Sequence, residues 1–233
     1  MFQPCQNGLV VTKAKRAQRR TDALSKERII ETAIEILDAE GESALTFRAL
    51  AARLTTGSGA IYWHVANKDD LLAAAASDVI GRVVTDVSDG TEPREAVRRI
   101  ALGVYDAIEA HPWVGTQLSR EPWQFAVLRI FEAVGRQLQA LGVPEPAQFD
   151  CASALVNYVL GLAGHRAAAA RLLAPDTDRT AFLTAAAARW AQLDPAQYPF
   201  MRQVAAQLPG HDDREQFLAG IDLILSGIGE KLR

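Results

Sequence analysis

The sequence predicts an all-α fold in which a small N-terminal domain of short helices precedes a larger helical one. Three observations lead there. Apolar residues recur at i, i+3, i+4 and i+7 along most of the chain, and no stretch alternates as a strand would. Prolines at 93, 112, 122, 144, 146, 175, 195, 199 and 209 punctuate long Ala- and Leu-rich segments where helices start or stop. The 233 residues are 49% hydrophobic and 23% charged, a balance that suits a packed core and not disorder.

The elements follow in order. Ser25 caps a first helix whose stripe is Ile30, Ala33, Ile34 and Leu37, and Gly41 stops it. Thr46 caps a second, with Phe47, Leu50, Ala51 and Leu54 on one face. Thr55-Thr56-Gly57-Ser58-Gly59 reads as a short turn, and a third helix is expected over Ala60–Val65. Asn67 caps a fourth, Lys68 to about Val87, with Asp69 and Asp70 in the first turn, where the helix dipole favours acids. Beyond Ser88-Asp89-Gly90, helices are expected at about 93–110, 112–119, 121–141, 147–173, 178–190, 197–207 and 212–231. The expected organisation is a basic arm at 1–24, a small domain at 25–70 and a large domain at 71–233.

Cys5 and Cys151 are too few and too far apart for a disulfide framework, and no Cys/His cluster has zinc spacing. No stretch approaches the roughly 20 apolar residues that span a membrane, and the first twenty lack a signal peptide's apolar run. A soluble, cytoplasmic protein without membrane partners is expected. The net charge of −3 hides an asymmetry. Residues 1–30 hold seven basic and two acidic side chains, hence +5, which leaves −8 on the remainder. A basic arm on an acidic body is drawn to phosphate at one end only, although a solvated tail has the same composition.

The second and third helices with their tight turn have the form of a helix-turn-helix. Ala51 is the small residue at which the third helix crosses the second, and Ile61 and Val65 anchor the third helix. Its other face then presents groups able to reach phosphates and base edges. The run LTFRALAARLTTGSGAIYWHVANKDDLL closely resembles the DNA-binding domain of the tetracycline-repressor (TetR) family. Its most specific part is Ile61-Tyr62-Trp63-His64-Val65, then Asn67-Lys68 and Leu71-Leu72, and the likeness is strong over about residues 25–75.

That resemblance implies that Arg48 holds the DNA backbone or a base. It places Ser58, Gly59 and Ala60 at base edges, and Tyr62, Trp63 and His64 on phosphate, sugar or thymine methyl groups. Lys68 would clamp a phosphate. One position departs from the family: Thr55 stands where Gly usually follows the Leu that ends the second helix. Glycine is favoured there because the turn needs positive φ, and Gly57 is the residue expected to relieve it.

The C-terminal region looks more weakly like the tetracycline-repressor type of effector domain, through His111-Pro112-Trp113, Asn157 to Gly161, the stretch Asp194 to Leu208 and a terminal helix with Phe217, Gly220 to Leu225 and Gly227. Residues 151–163 are apolar except Ser153 and Asn157, so that helix is expected to be buried on most faces. Phe217, Ile221, Ile224, Leu225 and Ile228 form one stripe on the last helix. Gly161, Gly164, Gly220 and Gly227 would let helix backbones approach. Periodicity suits a monomer core and a four-helix homodimer interface equally. The resemblance implies the dimer, which would set two recognition helices about 34 Å apart on double-stranded palindromic operator DNA.

The expected protein is therefore a regulator, most simply a repressor, released from its operator by a small-molecule effector. Candidate effector-lining residues are Tyr105, His111, Trp113, Gln117, Trp123, Phe125, Asn157, Tyr158 and His165. Asn157 leads because a buried amide needs a partner. No cofactor or metal is expected. The histidine that holds the drug's magnesium in the best-known family members has no counterpart in Val114 to Glu121, so tetracycline is disfavoured as the effector. The competing readings are a helical adaptor without sequence-specific DNA binding and, less favoured, an enzyme. Gly57-Ser58-Gly59 lacks the spacing of a hydrolase nucleophile elbow, and His64, His111, His165 and His211 form no catalytic pattern.

Overall fold

The computed structural model describes residues 24–87, 90–120, 124–172 and 178–230. Among these are eleven α-helices, one 3₁₀-helix and no strand. The helices are α1 (Lys26–Glu40), α2 (Phe47–Arg53), α3 (Ser58–Tyr62), α4 (Lys68–Thr85), α5 (Pro93–Ala110), α6 (Pro112–Arg120), α7 (Phe125–Ala140), α8 (Glu145–Leu172), α9 (Arg179–Ala191), α10 (Pro199–Val204) and α11 (Asp213–Glu230). The 3₁₀ turn Ala205–Gly210 precedes α11. The chain divides into two compact units at Ala75/Ala76, within α4.

In the first unit, local polar groups fix the helix starts. The Ser25 hydroxyl accepts from Arg28 N–H at 3.2 Å, Thr46 Oγ1 from Ala49 N–H at 3.0 Å, and Asn67 Oδ1 from Asp70 N–H at 2.8 Å. Each satisfies a helix N–H that has no partner within its own helix. Gly41 ends α1 at φ +78°. The core is Ile29, Ala33, Ile36 and Leu37 of α1 with Leu45, Leu50, Ile61, Val65, Leu71 and Leu72. Ile34, expected on the α1 stripe, is only half-buried, because the face that packs is centred on Ile29, Ala33 and Ile36.

In the second unit α5 is central and packs on α6, α7, α8 and α11. Val97, Ile100, Ala101, Val104 and Ile108 bury its wide apolar face. Arg98 pairs with Asp222, and Arg94 Nη2 donates to the Leu225 carbonyl at 2.9 Å, which ties α11 to α5. Helices α9 and α10 and the 3₁₀ turn pack on one another.

Several boundaries differ from expectation for identifiable reasons. α8 starts at Glu145, with Pro146 in the first turn, where a missing N–H costs nothing. The helix expected at 197–207 is α10 followed by the 3₁₀ turn, whose Pro209 cannot continue an α-helical ladder. α3 spans Ser58–Tyr62, so Trp63 caps it, and His64 and Val65 lie in the following turn. Arm residues 1–23, the expected helix start at 121–123 and the end at 173 lie outside the described residues.

Candidate nucleic-acid interface and ligand cavities

The turn between α2 and α3 is built by a pair of backbone hydrogen bonds. Thr56 N–H donates to the Ala51 carbonyl at 3.0 Å and Thr55 N–H to the Ala52 carbonyl at 3.4 Å. This is the Schellman pattern, which needs a left-handed residue at the position of Thr55. Thr55 takes that conformation itself, at φ +49°, while Gly57 is extended at φ −87° and caps α3. The expectation that Gly57 relieves the turn is therefore corrected: the hydrogen bonds place the constraint two residues earlier.

Beyond this turn, Ile61 and Val65 are buried and fix α3. Its remaining surface is open. Ser58, Gly59, Tyr62, Trp63 and His64 are exposed, as is Arg48 on α2, and Ala60 is half-buried. The Tyr62 ring stacks flat on Phe47, with centroids 4.3 Å apart and planes 4° from parallel, yet Tyr62 stays 54% exposed. That stack holds the end of α3 beside the start of α2 and so brings Arg48 to the same end as Tyr62, Trp63 and His64. Trp63 is 90% exposed, which leaves an indole with no packing role among the described residues. Lys68 Nζ donates to the Glu42 carbonyl at 2.6 Å, which uses one of its three N–H donors. Glu27, in the first turn of α1, has its carboxyl held below the usual range by its own backbone N–H and then by the Ser25 hydroxyl.

The effector candidates do not converge on one pocket. Tyr105, Trp113 and Gln117 are core: Tyr105 stacks on Phe217 at 5.3 Å, and His111 meets the Trp113 ring edge-on at 6.1 Å. Gln117 keeps a buried side-chain amide N–H without a partner, while its backbone carbonyl accepts from the Gln124 side chain. Trp123 lies outside the described residues.

Asn157, Tyr158 and His165 line a cavity of about 630 Å³ with Gly161, Leu162, Asp213 and Gln216, between α8 and α11. Asn157 is exposed there, so the argument from a buried amide fails. α8 turns a face of small residues outward with it, Ala154 and Gly161, and among the described residues buries Cys151, Ala152, Leu155, Val156 and Val159. Tyr158 stacks on Phe217 at 5.5 Å and donates its hydroxyl to the Phe217 carbonyl at 3.3 Å, and burial raises its phenol pKa.

Phe125, 77% exposed, lines a different cavity of about 620 Å³ between the C-terminal part of α4, α5 and α7. Arg129, Glu132 and Arg136 face this cavity, and sequence reasoning missed all three. The available signal was Arg129, the one charge in the run Phe-Ala-Val-Leu-Arg-Ile-Phe from 125 to 131.

Comparison with known proteins bears on both units. Residues 29–75 match the bacterial regulatory proteins of the tetR family, and residues 88–232 match the tetracyclin repressor-like C-terminal domain. A solved TetR transcriptional regulator from Streptomyces coelicolor is 53% identical, with 88% of this chain and 98% of that one covered at a TM-score of 0.79. An HTH-type transcriptional regulator of Saccharopolyspora erythraea is 30% identical over 155 residues, 66% of each chain. The HTH-type transcriptional repressor DrrR1 of Streptomyces coeruleorubidus is 29% identical over 217 residues, 88% of this chain and 77% of that protein. With both of its characteristic domains matched in order on an all-helical fold, the chain belongs to the TetR family of transcriptional regulators.

Proposed function

We propose that the protein is a ligand-responsive repressor that binds palindromic operator DNA as a homodimer and releases it when the larger unit takes up a small molecule. One observation carries the DNA half of this reading. Tyr62, Trp63 and His64 stand open on a rigid turn backed by Ile61 and Val65, beside Arg48. The Trp63 indole has no packing among the described residues to explain it, and Tyr62 keeps half its surface open despite its stack on Phe47, whereas a phosphate and base surface uses both. Ser58 and Gly59 open the same helix and are short enough for its backbone to approach base edges. Family membership and the similarity to DrrR1, a transcriptional repressor, support repression over an adaptor or enzymatic role.

The effector half rests on the larger unit's cavities and on α4, the one helix whose residues belong to both units. Ligand bound against α4 shifts the population between DNA-competent and incompetent dimers, and by linkage the operator weakens ligand binding by the same factor, typically about 1–3 kcal/mol. The site of action is the cytoplasm. No described helix is long and apolar enough to cross a membrane.

The test is selection from a random double-stranded DNA pool at physiological salt, followed by Tyr62→Ala/Trp63→Ala on the recovered sequence. The expected result is a palindrome bound at least 100-fold more weakly by the double variant, at unchanged helicity and oligomeric state. Recovery of only salt-sensitive, sequence-blind binding would favour the adaptor reading instead.

A further inference from the structure

Among the described residues that line it, the cavity between α4, α5 and α7 sets an unpaired guanidinium beside an apolar wall. Val84, Ile100, Leu128 and Ala133 supply the wall, with Phe125 at the rim. Among the described residues, three charged side chains face it. Glu132 is taken by Arg136, Nε to Oε1 at 2.7 Å one helical turn away, so these two cancel. Arg129 is different: among the described residues no hydrogen bond or ion pair engages its guanidinium. It rests instead against the backbone of α4 at Gly81, where even a methyl group would collide with Nη1. A guanidinium carries five N–H donors arranged to take a carboxylate or similar oxyanion in a bidentate way.

We infer that this cavity is an effector site for amphipathic anions, molecules of a few fused or linked rings that bear a carboxylate, sulfonate or acidic phenol. The apolar body lies against Val84, Ile100, Leu128 and Ala133, and the anionic group pairs with Arg129. The volume of about 620 Å³ suits such a molecule. Because Arg129 stands on Gly81, an anion that draws the guanidinium toward itself changes the packing on α4. That helix continues into the smaller unit, so the site lies where occupancy can be passed on. The inference rests on the ligand-responsive reading above and names its ligand class.

The test uses two fluorescent probes with the same aromatic skeleton, 8-anilinonaphthalene-1-sulfonate and neutral N-phenyl-1-naphthylamine, titrated into the full chain. Arg129→Gln is expected to weaken the sulfonate at least fivefold while the neutral probe changes less than twofold. Ala133→Trp, which fills the cavity, is expected to weaken both. Arg189→Gln, a surface charge change on α9, leaves both unchanged. Equal loss of both probes in Arg129→Gln would show that the arginine only supports the cavity and overturn the anion assignment. Unchanged binding in Ala133→Trp would place the probes elsewhere and overturn the site. Operator binding by the ligand-free wild-type chain and by Arg189→Gln, expected to be equal, is measured alongside. Failure of the wild-type chain to bind any operator would overturn the repressor reading while leaving the probe result to stand alone.

Discussion

Thr55 sits at φ +49° because two backbone hydrogen bonds close the end of α2 around it, Thr56 N–H to Ala51 and Thr55 N–H to Ala52. For a β-branched residue this region costs roughly 1–2 kcal/mol, since Cβ crowds the following carbonyl. Thr55 is exposed and has no packing role to offset that cost. Thr55→Gly should therefore stabilise the protein by about 0.5–1 kcal/mol, the relief of strain exceeding glycine's extra unfolded-state entropy. Thr55→Ala keeps the Cβ and should gain little. Thermal and urea unfolding of the two variants checks this, and equal stability of Gly and Ala would refute the strain argument. The need for a left-handed residue after Leu54 was legible from the helix-turn-helix pattern. Its bearer was not, because a glycine two residues later offered an equally simple solution and only the hydrogen bonds distinguish them.

Helix α11 and its neighbour α8 show what periodicity reads well and what it misses. Phe217, Ile221, Leu225 and Ile228 form the buried stripe that the sequence spacing requires, with Ile224 half-buried at its margin. The glycines were harder to place. Gly220 was expected to let two helix backbones meet, but the Tyr158 ring fills its space, stacked on Phe217 and hydrogen-bonded to the Phe217 carbonyl. Among the described residues, Gly164 meets the Ser119 hydroxyl at 3.5 Å from where a Cβ would be, and Gly161 and Gly227 meet nothing within 4 Å. A glycine's neighbour is a long-range fact that local spacing does not contain. Gly220→Ala should push Tyr158 off Phe217 and destabilise the protein by about 1–3 kcal/mol, as overpacking usually does. The double variant Gly220→Ala/Tyr158→Phe, which removes the hydroxyl nearest the new methyl, should recover part of that loss. If Gly220→Ala unfolds at the wild-type urea midpoint, the close packing described for Tyr158 is wrong.

At the scale of the whole molecule, the all-α class and the exposed face of the smaller unit's helix-turn-helix were readable from the sequence, because a helix-turn-helix is a local motif with its anchors a few residues apart. The larger unit's cavities were not, since each draws lining residues from helices distant in the chain and those residues look like any amphipathic surface. Asn157 illustrates the point: its apolar neighbours suggested burial, yet it shares an outward face with Ala154 and Gly161 on α8. On α11, Ala219, Leu223, Ser226 and Gly227 are likewise exposed, and Leu223 is 75% open to solvent in the single chain. Two adjacent helices that present small residues and a bare leucine are suited to close packing against their symmetry mates. Leu223→Glu would place a carboxylate from each protomer in that interface, where burial without a partner is costly. Sedimentation equilibrium should find the wild-type chain at twice its 25.3 kDa mass, and Leu223→Glu at least tenfold weaker in dimerisation. Operator affinity should fall with it, because a palindrome needs two heads held one helical turn apart. A Leu223→Glu variant that stays dimeric and keeps its operator would move the interface away from α8 and α11. One that stays dimeric but loses the operator would instead assign Leu223 to the passage of strain between units.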